Sequence, residues 1–352
     1  MRCVCLLLLS LSFPLLAQSQ PRTVRIGVLG IFHPRELTIA ADPTGELLIA
    51  AGDRRIFVQQ GSSCSLLRVR SAGDNLLLNC NGAEIRAGEL HASGRNQQSA
   101  GIVVTLPGKI RRRYLGVLEL KAKNGELFPI ITMDLETAVA SVVQAETTPG
   151  TPLEALKAQA VVSRSYFVSG GRHTGFDFCD LTHCQFLREP PASDSPAANA
   201  AISTFGLVLT FEEKPVAAMF TRSCGGRTRT PEEIRVSQNG YPYFSVPCDF
   251  CYNNPHRWTR KVSREDAALL MLRGENGRLA IGRRLGWDAV PSNNFSAQEA
   301  GGEVTLIGVG QGHGVGLCQR GARGMAESGS DFRAILEHYY PNTSLKTLPS
   351  VP

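Results

Sequence analysis

The sequence predicts an α+β fold with a β-rich N-terminal region and a larger C-terminal domain that contains helices. From residue 23 to about residue 127, short apolar runs alternate with turn residues such as Gly52-Asp53 and Asn81-Gly82. After about residue 130, apolar residues recur three and four positions apart, which is the spacing of one helix face. We therefore divide the chain beyond its first 20 residues into regions 22–127 and 128–352.

The first 20 residues have the order of a secretory signal peptide. Arg2 provides a positive start, an apolar core extends from Leu6 to Leu16, and small and polar residues follow from Ala17. The apolar run is short for a bilayer-spanning helix. We expect an exported protein in the periplasm, in the cell envelope or outside the cell. An uncleaved membrane anchor is the alternative.

The charge and cysteine content narrow the class of partner. The net charge of +6 is too small and too dispersed to favour nucleic acid, but it suits an acidic polymer such as cell-wall glycan. Outside the cytoplasm, cysteines are usually paired or bound to metal. Cys64 and Cys80 bracket two strand runs and are expected to form a disulfide. The N-terminal region has no catalytic signature, so a binding or spacing module is the better interpretation.

A helix that ends in a carboxylate is the strongest catalytic signal. Its apolar face consists of Leu135, Ala138, Val139, Val142 and Val143. The next position on that face is Glu146, in the last turn before Pro149. Burial and the negative end of the helix dipole both raise the pKa of a carboxyl group, as a general acid requires. The alternative is an ordinary surface helix end. Thr151, Pro152 and Glu154 predict a capping box for a second helix.

Six segments resemble the SpoIID/LytB family, in that family's order, over residues 130–345. They are 142–146, 152–166, Ser223-Cys-Gly-Gly-Arg-Thr (223–228), Tyr-Pro-Tyr-Phe (241–244), Gly-Val-Gly-Gln-Gly-His-Gly-Val-Gly (308–316, continuing to 322) and 335–341. The family includes sporulation lytic transglycosylases and amidase-enhancer proteins. The resemblance implies cleavage of peptidoglycan glycan strands after N-acetylmuramic acid, with 1,6-anhydro ends. Its sporulation members prefer peptide-stripped glycan, and its catalytic Glu corresponds to Glu146.

One carboxylate suffices for this reaction, because the sugar's own 6-hydroxyl attacks the anomeric carbon. Glu146 would protonate the leaving oxygen and then accept the proton of that hydroxyl. A hydrolase normally needs two carboxyl groups. We find no second acidic residue equally placed in the motifs.

Six other motif residues are candidates for binding substrate: His313, Ser223, Arg164, Tyr166, Gln185 and Gln319. His313 lies between two glycines, where the chain can approach a ligand closely; a structural histidine is the alternative. Ser223 is expected to join Glu146 and His313 in one cleft. Arg164, Tyr166 and Gln185 would hold sugar or orient Glu146, or else form a structural polar network.

Two groups of cysteines suggest metal sites or disulfides. Cys179, His183 and Cys184 suit tetrahedral zinc, and the resemblance to zinc-binding sporulation members supports a structural zinc there. The fourth position would be open or filled by His173. The alternatives are a disulfide between the two cysteines or two reduced thiols.

Four further cysteines are expected to lie close together: Cys224, Cys248, Cys251 and Cys318. Two of them, Cys224 and Cys318, replace the small residues of many family members. Two disulfides and one further metal site are both open, and export favours disulfides.

Two rival functions remain beside the transglycosylase. One is a non-catalytic partner of a cell-wall amidase or of a membrane protein, as in the enhancer branch of the family. The other is a zinc-dependent hydrolase that uses the 179–184 segment. The loop Thr147-Thr148-Pro149 is one residue longer than the family's usual Met-Pro, which affects substrate preference more than fold.

Overall fold

The computed structural model describes residues 22–237 and 240–349 and confirms the α+β class. The predicted signal peptide lies outside the described residues. The expected division of the chain at residue 127 stays a prediction. Within the described ranges, no helix combines the length and the apolarity needed to cross a membrane.

The strands and helices have the following bounds. The strands are β1 (Thr23–Gly27), β2 (Glu36–Ala41), β3 (Glu46–Ala51), β4 (Arg54–Gln59), β5 (Leu67–Ala72), β6 (Asn75–Cys80), β7 (Ala83–Ala87), β8 (Glu89–Ser93), β9 (Ala100–Leu106), β10 (Ile110–Lys123), β11 (Glu126–Asp134), β12 (Phe178–Cys179), β13 (Leu207–Phe211), β14 (Lys214–Pro215), β15 (Phe220–Thr221), β16 (Arg257–Val262), β17 (Phe295–Ala300), β18 (Glu303–Val309), β19 (Leu317–Cys318) and β20 (Ser344–Thr347). The helices are α1 (Leu135–Glu146), α2 (Leu153–Val168), α3 (Pro196–Ser203), α4 (Asp249–Asn253), α5 (Arg264–Arg273), α6 (Glu275–Leu285), α7 (Gln319–Glu327) and α8 (Phe332–Tyr339).

A curled sheet of 12 strands contains the short strand runs of the N-terminal region. Its longest strand, β10, has 14 residues and pairs with β9 through its first half, with β8 through its second half and with β11 on the other edge. Alternate β10 residues such as Tyr114, Leu118 and Leu120 are buried, as the two-residue period of a strand requires. The predicted Cys64–Cys80 disulfide is present.

The sheet leads directly into the helix that carries Glu146. Strand β11 runs from Glu126 to Asp134, so it crosses residue 127. The Asp134 carboxylate then caps α1 by accepting hydrogen bonds from the backbone N–H groups of Glu136 (2.9 Å) and Thr137 (3.0 Å). The apolar face predicted for this helix is buried in the same core as the sheet. The end of β11 thus fixes the start of α1, the helix that ends at Glu146.

The capping box predicted for α2 is wrong. Pro152 occupies the N-cap position without a side-chain hydrogen bond, and the Thr151 hydroxyl donates instead to the carbonyl of Thr148 at 2.7 Å. Glu154 is engaged elsewhere: Lys157 donates to it at 2.7 Å and the backbone N–H of Phe332 at 2.9 Å. Tertiary contacts with α8 thus replace the local pattern.

A buried arginine joins the first three helices. The Arg164 side chain on α2 has 0% exposure and forms a bidentate ion pair with Glu136 of α1, with donor–acceptor distances of 2.8 and 2.5 Å. It also donates to the carbonyls of Ala201 (3.2 Å) and Leu207 (3.0 Å). Arg164 therefore belongs to the structural polar network that was the alternative to substrate binding.

Two smaller cores complete the molecule. One packs the other face of α2 against α7, α8 and the loop that contains Tyr241 and Tyr243. The other lies between α5, α6 and the three-stranded sheet β17-β18-β16, and it includes Trp258. Residues of the first of these cores and of α6 line the cavities at Glu146, so Glu146 lies where elements distant in sequence meet.

Replacing Arg164 tests this packing. Arg164→Ala leaves the Glu136 carboxylate without its partner, so we expect the free energy of unfolding to fall by about 3–5 kcal/mol in denaturant titration. Arg111→Ala, at an exposed position of β10, is the control and should change the free energy of unfolding by less than about 0.5 kcal/mol. Equal effects of the two substitutions would contradict the assignment.

Candidate functional site

The candidate general acid, Glu146, is the last residue of α1. Its Oε1 atom accepts a hydrogen bond from the backbone N–H of Phe186 at 3.3 Å. The Arg222 guanidinium donates to its main-chain carbonyl at 3.0 Å. Two distant segments therefore hold this residue at the end of α1: Phe186 follows the cysteine-histidine segment, and Arg222 precedes Ser223.

Burial raises the pKa of the Glu146 carboxyl to about 7. The Phe186 N–H, the Gln319 side chain and the charges of Arg222 and Arg188 oppose the shift but do not cancel it. A carboxyl group with this pKa is partly protonated at neutral pH and can both donate and accept a proton. The upward shift of the Glu146 pKa agrees with the expectation from the sequence.

Two cavities meet at this carboxyl. One has a volume of about 470 Å³ and the other about 380 Å³, and Glu146 and Arg222 line both. A chain-like ligand could extend to either side of Glu146. Arginines border each cavity: Arg172 and Arg278 line the larger one, and Arg320 and Arg323 line the smaller one.

The structure brings some of the predicted binding residues to these cavities. Tyr166, Gln185 and His313 line the larger cavity, and Gln319 lines the smaller one. Ser223 is buried beside them, with its hydroxyl oxygen 3.5 Å from Cys251 Sγ, and it is not among the lining residues. Arg164 is likewise buried away from both cavities. The substrate contacts of all six residues stay predictions.

The loop that carries His313 holds its imidazole. The backbone N–H of Val315 donates a hydrogen bond to His313 Nδ1 at 3.0 Å. Burial lowers the pKa of this imidazole, so it is neutral at neutral pH. The geometry favours a structural histidine that shapes the cavity wall.

A second carboxylate, Glu275, lines the larger cavity, and sequence analysis did not identify it. Arg278 donates to its two oxygens at 2.7 Å each, and the Asn293 side chain donates to it at 2.6 Å. Burial opposes ionisation, but Arg278, with the Asn293 amide, lowers the pKa of Glu275. It is therefore ionised and its oxygens are occupied.

Glu275 could not be identified from the sequence because of where it lies in the chain. Glu275 begins α6, outside the motif segments, and no periodicity marks it. Arg222 was also missed, although its position directly before Ser223 was an available signal. The Phe186 contact involves only a backbone N–H, which no residue type could have indicated.

The predicted metal segment folds into a compact group of four side chains. The ligand atoms of His173, Cys179, His183 and Cys184 all lie within 4.8 Å of one another. Cys184 Sγ lies 3.2 Å from His173 Nε2 and 3.5 Å from His183 Nδ1, and Cys179 Sγ lies 3.8 Å from the latter. Zinc bonds of about 2.1–2.3 Å in a tetrahedron imply ligand separations of about 3.6 Å, so the group can hold a metal ion.

Comparison with known proteins identifies the family. Residues 123–211, which include Glu146 and the metal segment, match the model of SpoIID, the stage II sporulation protein. Relatives include stage II sporulation protein D of Bacillus amyloliquefaciens, 28% identical over 61% of this chain and 75% of that protein. These matches support a SpoIID family assignment for this chain.

Two further matches extend the SpoIID comparison. An uncharacterized protein of Brachyspira hyodysenteriae is 28% identical over 64% of this chain and 70% of its own length. The amidase enhancer of Bacillus subtilis is 46% identical over 43 residues, which are 12% of this chain and 6% of that protein. The family resemblance found in the motifs is thus confirmed.

The shifted pKa of Glu146 predicts a pH-dependent stability. Because its pKa of about 7 exceeds the usual 4.5, the folded protein binds this proton more tightly than the unfolded chain does. The resulting stabilisation is present below about pH 4.5 and is lost as the pH rises through about 7. Relative to Glu146→Gln, the wild-type free energy of unfolding should fall by up to about 3 kcal/mol over that interval.

Denaturant titrations at pH 4.5, 6 and 8 measure this difference. Gln144→Ala, an exposed position on the same helix without an ionisable group, is the control and should show no pH-dependent difference from wild type. A constant difference between wild type and Glu146→Gln would show that the Glu146 pKa is not raised.

Proposed function

We propose that this SpoIID-family protein is a peptidoglycan lytic transglycosylase, with Glu146 as its general acid and base. The observation that carries the proposal is the position of a carboxyl group with a pKa of about 7 where two cavities meet. A glycan strand bound across that junction would present its glycosidic oxygen to Glu146. The product would be a strand with a 1,6-anhydro-N-acetylmuramic acid end.

The reaction needs one proton donor that becomes a proton acceptor. Protonated Glu146 gives its proton to the glycosidic oxygen as the bond to the anomeric carbon breaks. The 6-hydroxyl oxygen of the same N-acetylmuramic acid then bonds to that carbon, and the Glu146 carboxylate accepts the hydroxyl proton. The Phe186 N–H orients the carboxyl, and Arg222 holds the end of α1.

The arginines of the cavities suit glycan without stem peptides. Removal of the peptide frees the lactyl carboxylate of muramic acid, which a guanidinium can bind in a bidentate manner. Arg222, Arg320 and Arg323 border the smaller cavity, and Arg172 and Arg278 border the larger one. The modest positive charge of the chain and its predicted export agree with a substrate in the cell wall.

Glu275 raises the question of a hydrolase, which would use a second carboxylate as base or nucleophile. Its oxygens, however, accept hydrogen bonds from Arg278 and Asn293, so it is not free to activate water. We assign Glu275 a positioning role, in which it holds Arg278 at the cavity.

A second candidate function is suggested by the short match to an amidase enhancer. Those 43 residues are 46% identical, which exceeds the identity of the longer matches. In this alternative the chain binds peptidoglycan and stimulates a cell-wall amidase or acts with a membrane protein, without cleaving glycan.

Product analysis tests the proposed reaction. Mass spectrometry of soluble fragments from peptide-stripped glycan should show anhydro ends with the wild-type chain and at least a 100-fold lower yield with Glu146→Gln, because general acid–base catalysis contributes roughly 10²–10⁴-fold. Glu275→Gln should retain anhydro ends with a weaker affinity for glycan, and Gln144→Ala is the matched control.

The alternatives give different products. Reducing ends that disappear in Glu275→Gln would establish a two-carboxylate hydrolase. A folded wild-type chain that binds glycan without cleaving it would establish the binding function. Addition of an amidase would then show whether its activity increases.

We further propose that His173, Cys179, His183 and Cys184 hold one structural zinc ion. Bound zinc would fix the loop that carries Gln185 and the Phe186 N–H donor. His183→Ala should lower the zinc content by one ion per chain and destabilise the fold, as measured by elemental analysis and thermal unfolding. If a chelator abolished activity at once in a chain that stays folded, the zinc-dependent hydrolase would be favoured instead.

A further inference from the structure

A second sulfur-rich group lies near the smaller cavity, which is lined by Phe250 and Gln319, the sequence neighbours of two of its cysteines. It consists of Cys224, Cys248, Cys251 and Cys318, which we term the tetracysteine cluster. All four residues are buried, and their Sγ atoms lie within 4.8 Å of one another. They come from three separate segments: the loop after β15, the two ends of the first turn of α4, and β19. The proximity predicted from the sequence is confirmed.

The separations in the tetracysteine cluster fit a tetrahedral metal site. Cys251 Sγ and Cys318 Sγ are 3.5 Å apart. Four zinc–sulfur bonds of about 2.3 Å imply sulfur–sulfur separations of about 3.8 Å. The same structure contains a formed disulfide between Cys64 and Cys80, whereas these four cysteines are unbonded.

We propose that the tetracysteine cluster binds one zinc ion with all four thiolates. Four protein ligands close the coordination shell, so the ion would have a structural and not a catalytic role. The inference goes beyond the proposed function, because it depends neither on Glu146 chemistry nor on the site at His173.

Hydrogen-bond donors around the cluster support thiolate ligands. The backbone N–H groups of Cys224 and Gly321 donate to Cys318 Sγ at 3.3 and 3.4 Å. The hydroxyls of Tyr339 and Ser223 lie 3.5 Å from two other sulfurs. Such donors stabilise negative charge on sulfur and orient the ligands of structural zinc sites. This also explains why Ser223 faces the cluster and not the cavity.

The first turn of α7 packs so closely against the tetracysteine cluster that no side chain fits at Gly321. A Cβ atom at Gly321 would lie 2.5 Å from Cys248 Sγ and 2.0 Å from the Tyr339 hydroxyl oxygen. Glycine is therefore required where the helix approaches the cluster.

The cluster also adjoins two residues of the cleft. Arg222 is two residues before Cys224 and donates to the Glu146 carbonyl, and Gln319, which directly follows Cys318, donates to the Gln159 side chain at 3.3 Å in the wall of the smaller cavity. A zinc ion at the cluster would fix both contacts without touching substrate.

Metal content distinguishes this site from the first one. The Cys179→Ser/Cys184→Ser variant removes two ligands at the first site and leaves the cluster intact. Purified without reductant, it should retain one zinc per chain by native mass spectrometry. Cobalt substitution should give the intense charge-transfer absorption of a four-thiolate site. Alkylation under denaturing conditions after chelation should label all four cluster cysteines.

The opposing results are equally clear. Absence of bound metal, with cluster cysteines resistant to alkylation until a reductant is added, would show two disulfides and overturn the proposal. Because the wild type and the first-site variant both keep the cluster, this test does not depend on the folding of a cluster variant. A Cys251→Ser variant that folds should lose the remaining zinc; its retention would also overturn the proposal.

Discussion

The desolvated carboxyl of Glu146 is the constraint on which the candidate site depends. A carboxyl group in water is ionised at neutral pH, and only removal from water gives this one a pKa near 7. That environment requires the β11–α1 junction to place the helix end, the loop at Phe186 to cover one side, and Arg222 to approach from another. The fold therefore serves mainly to bring three distant segments around one side chain.

Two sulfur-rich groups lie next to the segments that contact Glu146. Cys184 is two residues before Phe186, while Cys224 and Cys318 adjoin Arg222 and Gln319. Loops and short strands, which have few backbone hydrogen bonds of their own, form these segments. Cross-linking by metal or sulfur is a physical means of holding such loops in place, because it restricts the conformations available to them.

Electrostatic pairing explains why two carboxyl groups at the same cavity, Glu275 and Glu146, have different protonation states. Glu275 is ionised because Arg278 and Asn293 hold its oxygens, whereas Glu146 receives weaker compensation. The partners of Glu275 thus lower its pKa despite burial, whereas burial raises the pKa of Glu146 by more than its partners lower it. His313 adds no charge, since burial favours its neutral form.

The sequence by itself determined the α+β class, the stripe that ends at Glu146, the Cys64–Cys80 disulfide and the family, because all of these depend on local spacing or linear motifs. Only the tertiary structure decided which motif residues reach the cavities. Arg164 and Ser223 have side chains suited to binding sugar, but Arg164 forms an ion pair with Glu136 and Ser223 contacts the tetracysteine cluster. The predicted capping box at Thr151 does not form, because Glu154 contacts α8 instead. Glu275 and the Phe186 N–H join the site through long-range packing, which leaves no periodic or motif signal in a single sequence.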